Sequence, residues 1–280
     1  MRRLYSIVRK LRLIARSELV GIDKLRHGLT CLGRSLPVAV RCAPRNHERQ
    51  RVASDLLTYR LRGGTSIALR KSTTDSKVFD EIFVEQAYAP CVAGLPDNLG
   101  PVTLIDLGAN IGLSVLYLTR ALQVVEIIAV EPHPGNFRLL SENLRRTGLA
   151  SRTTALRAFA GVDRAFAELH DSGNGAWGMR MGPLSDAGTP VLPLAEIAGA
   201  AKTSARLVLK CDIEGGERRL FLHIRDWDHL IHYIFLELHT EFLSVDELLA
   251  CLRLSDYRWT VHGSTPAGAS IVLLLLERLP

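Results

Sequence analysis

Residues 104–112 read Leu-Ile-Asp-Leu-Gly-Ala-Asn-Ile-Gly, and Glu131 closes the apolar run that follows. These residue types suit a nucleotide-like ligand. Glycine at 108 and 112 lets a ligand approach the backbone where a side chain would block it. An acidic residue about 20 positions past such a turn can take ribose hydroxyls. A dinucleotide would require G-x-G-x-x-G and a pyrophosphate seated on a helix N-terminus. Here Asn110 replaces the middle glycine, and Asp106 at the strand end suits a cation better than a diphosphate. S-adenosylmethionine carries an ammonium, a sulfonium, a ribose and an adenine, and no phosphate. It is the ligand these residues predict.

The elements that must position them follow from hydrophobic pattern. Val102 to Leu107 reads as a buried parallel strand, Ile111 to Leu122 as a helix, and 125–131 as a second strand. Asn136 to Thr147 reads as a helix ended by Gly148, and a third strand is expected near 154–159. Further strands are expected at Arg206 to Asp212, at His232 to Leu238, and near 257–262 and 269–275. Residues 163–193 break the alternation with five glycines and three prolines, so a loop or a small antiparallel excursion is expected there. Trp177 in that stretch suits either stacking on a ring or anchoring the insertion. Upstream, Leu56 to Leu61 and Ser66 to Leu69 flank Arg62-Gly63-Gly64 as a hairpin. Val78 to Tyr88 has helical spacing, with Asp75 or Ser76 available as its cap.

Three segments result: a basic helical segment and linker over 1–55, a hairpin and helix lead-in over 56–100, and an α/β domain over 101–280. The 47% hydrophobic content supports a sizeable core, and no apolar run reaches bilayer length. Residues 1–60 carry a net charge of +10 and the remainder −4. The basic character therefore belongs to the N-terminal segment. There Leu4, Ile7, Val8, Leu11, Ile14 and Ala15 form an apolar stripe opposite arginines. That face either packs on its own domain or touches an anionic membrane, a nucleic acid or an acidic partner. Arg34 to Gln50 reads as linker. Arginines and a lysine interrupt Leu4 to Val20, unlike a signal peptide. Five scattered cysteines without a C-x-x-C pair suit a reducing, cytoplasmic compartment and not a zinc site.

Four stretches carry a family resemblance. They are residues 104–112, then Val130-Glu-Pro-His-Pro134 with Asn143, then Leu209-Lys-Cys-Asp-Ile-Glu-Gly-Gly-Glu217, and Phe235-Leu-Glu-Leu-His239. Over roughly residues 70–265 the chain resembles the FkbM-type S-adenosylmethionine-dependent methyltransferases. The family typically shows Lys-Ile-Asp-Val-Glu-Gly-Ala-Glu in the third stretch. Here Cys211 and Gly216 depart from it while the charged frame is intact. The resemblance implies a doubly wound, seven-stranded α/β sheet of the class I, Rossmann-like methyltransferase type, ending in an antiparallel pair. The helical and hairpin segments would form an N-terminal extension to it. The resemblance places Asp106, Gly108, Asn110 and Gly112 around the methionine portion of the cofactor and Glu131 on the ribose. Ala160, Gly161 and Asp163 would lie near the adenine.

The chemistry is expected where strands four and five end. Holding a hydroxyl about 3 Å from the sulfonium methyl supplies roughly 7–11 kcal/mol of the barrier. A general base adds about 10²–10⁴-fold. Asp212 is the first candidate and Glu214 the next, with Lys210 balancing their charge. Glu217 reads as structural. His239 is a second candidate base, and Glu237 and His239 share one face of their strand. The carboxylates would suit Mg²⁺, yet nothing requires a metal and none is expected. His229 and His232 lack the Glu of a zinc-protease motif and read as surface. The expected activity is O-methylation of a hydroxyl on a small molecule, sugar or glycan. Two alternatives stand beside it. One is a nucleic-acid methyltransferase, disfavoured because Asp212-Ile-Glu-Gly replaces an Asn-Pro-Pro-Tyr-like tetrad. The other is a non-catalytic cofactor-binding interaction module.

Overall fold

Continuous apolar runs become strands that are covered on both faces. In the computed structural model these are β3 (Val102–Leu107), β4 (Val124–Val130), β10 (Arg206–Cys211) and β11 (Tyr233–His239), numbered in chain order. The structure describes residues 9–15, 19, 23–24, 27–28, 55–171, 178–252, 256–264 and 271–279. The chain divides into two compact units, Met1–Ala87 and Tyr88–Pro280.

In the first unit the expected hairpin forms from β1 (Leu56–Arg60) and β2 (Ser66–Arg70), with Tyr59 opposite Ile67. A short helix α1 (Asp75–Phe79) follows and passes into a π turn, Asp80–Val84. The helix thus stops before Tyr88, and Asp75 is not its cap. The Asp75 carboxylate instead accepts from the Arg70 backbone N–H at 2.7 Å and from its guanidinium at 2.7 and 3.0 Å. Residues 9–15 are helical, with Ile14 buried and Arg9 and Arg12 exposed. Leu4, Ile7 and Val8 of the apolar stripe, the 34–50 linker and Trp177 lie outside the described residues.

The second unit holds a seven-stranded sheet in the order β12-β13-β11-β10-β3-β4-β5, where β5 is Thr153–Leu156, β12 Tyr257–Ser264 and β13 Ile271–Arg278. Strands β11 through β5 run parallel. Strand β13 is antiparallel to β11, and β12 to β13. The chain proceeds outward from β3 through β4 to β5, then returns to β10 on the other side of β3. This reversal is a topological switch point, and the crevice at the carboxyl ends of β3 and β10 is where such sheets bind ligands. Ile105, Leu107, Ile128, Leu209 and Leu236 pack with Leu194, Ile197, Phe221 and Trp227 in one core. Burying each such side chain is worth about 1.5–3 kcal/mol.

Helix α2 (Ala89–Ala93) precedes the sheet. Helix α3 (Leu113–Ala121) starts two residues later than its spacing suggests, because Gly112 caps it in the left-handed region at φ 87°. Helix α4 (Pro134–Arg146) begins at a proline, and His133 Nδ1 accepts from Asn136 N–H at 3.2 Å. The third strand ends at Leu156 and not near 159, because Phe159 opens a second sheet. That sheet is what the 163–193 region becomes. Its order is β6-β9-β7-β8, with β6 Phe159–Gly161, β7 Ala165–Asp171, β8 Met179–Ser185 and β9 Thr189–Pro193. Phe159, Ala167 and Val191 form its small core. The glycines serve tight backbone approaches: a Cβ at Gly188 would stand 2.6 Å from the Ala167 carbonyl oxygen. Helices α5 (Leu194–Gly199), α6 (Glu217–Leu222) and α7 (Val245–Cys251) complete the unit. Ser244 and Glu247 close a capping box on α7. Among the described residues no helix is long and apolar enough to cross a membrane.

Candidate active site

Two turns leave adjacent strands side by side. The turn after β3 carries Gly108 at φ 74° and Asn110 at φ 49°. A Cβ on Gly108 would lie 1.8 Å from the backbone oxygen of Asp212. The glycine is therefore required by the neighbouring turn after β10, and not only by a ligand. The Gly108 and Ala109 amides both donate to the Val130 carbonyl at 3.0 Å. Asn143 Nδ2 donates to Ile111 O at 2.9 Å and ties α4 to the same turn. Glu131, at the end of β4, accepts from Asn110 N–H at 2.9 Å, from His133 N–H at 2.8 Å and from Asn136 Nδ2 at 3.3 Å. Burial pushes its carboxyl up to about 7 against these three donors. Oε2 accepts only one of those bonds, which leaves room for a ribose hydroxyl.

Asp106 does not face the cleft. All of β3 is buried on both faces, and the Asp106 carboxylate points inward. Its Oδ2 accepts from Ser114 Oγ at 2.5 Å, and Oδ1 has the Lys210 ammonium at 3.2 Å. Lys210 also donates to Gly108 O at 2.9 Å and Leu107 O at 3.3 Å, and reaches Asp212 Oδ2 at 3.5 Å. Burial works to lower the Lys210 pKa, but the Asp106, Asp212 and Glu237 carboxylates outweigh it and raise it. A permanent buried cation thus clamps both turns. Glu237, on the face it shares with His239, accepts from the Tyr88 hydroxyl.

The turn after β10 holds Asp212, Ile213, Glu214, Gly215 and Gly216 ahead of α6. Glu214 sits in the left-handed region at φ 54°. Burial and the Asp212 charge push its carboxyl up to about 7, while His239 and Arg180 pull the other way. Glu217 is fully buried and accepts from Ile213 N–H at 2.9 Å and Gly215 N–H at 2.8 Å. His239 Nδ1 lies 3.1 Å from Glu217 Oε1, and Nε2 lies 3.6 Å from Glu214 Oε2. Burial opposes charge on His239, yet Glu217, Asp212 and Glu214 together raise it to about 9. Donor atoms of Asp212, Glu217 and His239 lie within 4.8 Å of one another, close enough in principle for a divalent ion. Glu217 is already engaged with the Ile213 and Gly215 amides and with the His239 ring.

A cleft, partly open to solvent, joins the two turns. Gly108, Asn110 and Glu131 line one side, and Asp212, Ile213, Glu214 and Gly216 another. Ala158, Phe159, Ala160, Met179 and Met181 make the apolar wall. Of the residues singled out from sequence, Asp106, Gly112, Gly161, Asp163 and His239 are not on that lining. Gly112 packs under Leu140. Asp163 is 76% exposed and faces Arg219 at 3.4 Å. His229 and His232 are exposed. Met179 and Met181 escaped the sequence reading. Their alternation in β8 becomes a signal only once 163–193 is known to be a sheet.

The profile of the methyltransferase FkbM domain matches residues 106–259, more than half of the chain. The chain belongs to the FkbM methyltransferase family. It is 27% identical over 228 residues to 31-O-demethyl-FK506 methyltransferase FkbM of Streptomyces tacrolimicus, covering 70% of this chain and 86% of that one. Over 80 residues it is 38% identical to methyltransferase sdnD of Sordaria araneosa, which covers 29% of each chain. The crystal structure of methyltransferase FkbM from Methylobacillus flagellatus KT is similar, with a TM-score of 0.42 and 22% identity. That match covers 62% of this chain and 43% of the other. The FkbM family cofactor is S-adenosylmethionine, and the lining fits it. Glu131 suits the ribose diol, the 158–160 and Met179/Met181 wall suits a flat apolar ring, and the turn at Gly108 brings bare backbone to the cleft.

Proposed function

We propose that this chain transfers a methyl group from S-adenosylmethionine to a hydroxyl of a small organic molecule or carbohydrate. The observation that carries this reading is one cleft lined by Glu131 at one turn and by Asp212 and Glu214 at the other. When bound, the cofactor supplies an electrophilic methyl on a sulfur that keeps the carbon–sulfur pair. The protein's part is to hold the acceptor oxygen in line and take its proton. Positioning is worth roughly 7–11 kcal/mol, and a carboxylate base about 10²–10⁴-fold more. Asp212 and Glu214 are the carboxylates able to do so from the cleft wall. A small hydroxyl acceptor is also in keeping with the name of the Streptomyces relative. The three described cysteines, Cys91, Cys211 and Cys251, are all free, which supports placement in a reducing compartment.

Calorimetric titration with S-adenosylhomocysteine, wild type beside Glu131→Ala, tests the cofactor half. Binding by the wild type and at least tenfold weaker binding by the folded variant are expected. No binding by folded wild type rejects the reading. Mass-spectrometric detection of methyl transfer to a panel of monosaccharides and hydroxylated small molecules tests the acceptor half.

A further inference from the structure

Glu217 has no chemical role in the reading so far, yet it is the most tightly engaged carboxylate in the second turn. It opens α6, is wholly buried, and accepts from the Ile213 and Gly215 amides that flank Glu214. Its Oε1 also meets His239 Nδ1 at 3.1 Å, and the opposite ring nitrogen lies 3.6 Å from Glu214. Glu214 itself is a non-glycine residue at φ 54°. Such a conformation is strained and persists only where the surroundings over-determine it. They do so here. A Cβ at Gly215 would stand 2.7 Å from the Phe242 ring, so that ring presses directly on the turn. The Arg180 guanidinium covers Phe242 at 4.6 Å from its centroid and reaches Glu241 at 3.0 Å.

We infer that Glu217 and His239 are positioning residues that hold Glu214 as the proton acceptor for the acceptor hydroxyl. This deepens the methyl-transfer reading and rests on it. Glu217 fixes the turn and the ring, the ring's Nε2 side faces Glu214, and Glu214 alone of the three lines the cleft. The hydroxyl proton passes to the Glu214 carboxylate and leaves to solvent after turnover. The oxygen pair it frees forms the bond to the methyl carbon. Asp212, the other carboxylate on the wall, is held toward Lys210 at 3.5 Å and serves to balance that cation.

The charges around the pair are accounted for on every side. Glu214 faces Asp212 from its own turn, His239 from β11, Glu217 from α6 and Arg180 from β8. His239 faces Glu217, Asp212 and Glu214. Burial and Asp212 raise Glu214 above its ordinary value, and the neighbouring carboxylates raise His239 above its own. His239 is not on the cleft lining, so the ring between two carboxylates orients and polarises Glu214.

The test is an NMR titration of the histidine rings and side-chain carboxyls in uniformly labelled full-length protein bound to S-adenosylhomocysteine. The wild type is compared with Glu217→Gln, His239→Asn and Glu214→Gln. His239 is expected to titrate near 9 in the wild type and at least one pH unit lower in Glu217→Gln. Glu214 is expected near 7, moving upward in His239→Asn. With any acceptor that turns over, Glu214→Gln is expected to lower kcat about 10²–10⁴-fold without weakening S-adenosylhomocysteine. The acid limb of kcat should follow the Glu214 midpoint from variant to variant. Should Glu217→Gln fail to fold, His239→Asn and Glu214→Gln carry the same reading. The inference is overturned if Glu214→Gln keeps more than a third of kcat, or if His239 titrates at its ordinary value. It is also overturned if stoichiometric MnCl₂ broadens His239 and Glu217, making the trio a cation site. Loss of S-adenosylhomocysteine binding by the wild type is a separate outcome that removes the methyl-transfer reading beneath it.

Discussion

The turns after β3 and β10 are built alike and do different things. Each leaves a buried parallel strand, and each places a non-glycine residue in the left-handed region, Asn110 at φ 49° and Glu214 at φ 54°. Each is held by a carboxylate that accepts backbone amides, Glu131 for the first and Glu217 for the second. They differ in where the charge ends. In the first turn Asp106 is turned inward and neutralised by Lys210, so the surface offered is mostly backbone. In the second, Glu214 stands on the cleft wall with the His239 ring 3.6 Å from it. A turn closed on itself suits a ligand bound by shape. A turn that presents a carboxylate backed by an imidazole suits proton transfer.

The contact between the two turns is the place to break this arrangement. Gly108→Ala puts a Cβ 1.8 Å from the Asp212 oxygen at a φ of 74°. Two strands must part or the turn must refold. We expect the largest effect here, more than about 4 kcal/mol, which is the exceptional end of single substitutions. Urea unfolding reads it directly, and a loss below about 1 kcal/mol would show that the turns are not in contact. Lys210→Met comes next. It leaves Asp106 buried without its cation, at a cost of about 3–5 kcal/mol. Adding Asp106→Asn should recover much of that loss. If the double variant is no better than the single one, Lys210 is not the neutralising partner.

The pH dependence sharpens the comparison, because Glu131 belongs to the first turn, and Glu214 and His239 to the second. Glu131 and Glu214 are acids raised to about 7 from 4.5. The folded state therefore holds protons that the unfolded state has released, and stability falls as pH rises from about 4.5 to 7. His239 is a base raised from 6.5 to about 9, so its contribution is complete below 6.5 and lost as pH rises through 9. All three slope the same way. The His239 share is at most about 3.5 kcal/mol, at about 1.4 kcal/mol per pH unit. Thermal melts of the apo protein should decline from pH 5 to 9, and His239→Asn should flatten the part above pH 7. A wild-type melting temperature constant between pH 7 and 9 would contradict the ring's cationic state.

Both turns are legible in the chain because each lies within one contiguous stretch, an apolar run followed by small residues and acids. What lies across space is not. Every position of β3 is buried, so period-two alternation says nothing about which way Asp106 points. The 163–193 sheet is hidden by its glycines and prolines, which read as loop until the close approaches at Gly182 and Gly188 are seen. With it are hidden Met179 and Met181, which form part of the cleft wall. Glu217 reads only as structural because its link to His239 spans 22 residues.

The smallest expected effects separate a wall from a bystander. Met181 lies on the apolar wall, while Asp163, nearer in sequence to the end of β6, is 76% exposed beside Arg219. Truncating Met181 to alanine removes apolar contact worth about 1 kcal/mol in a binding site. That should weaken S-adenosylhomocysteine roughly fivefold. Asp163→Ala should leave its affinity unchanged, since an exposed ion pair contributes little and none of it reaches the cleft. Calorimetry on the two variants decides between the sheet and the turn at 162–163 as the adenine wall. The reverse order of effects would mean that β6 and the turn after it bend inward when the cofactor binds, and that the first turn, the sheet and the Glu214 turn close on the ligand together.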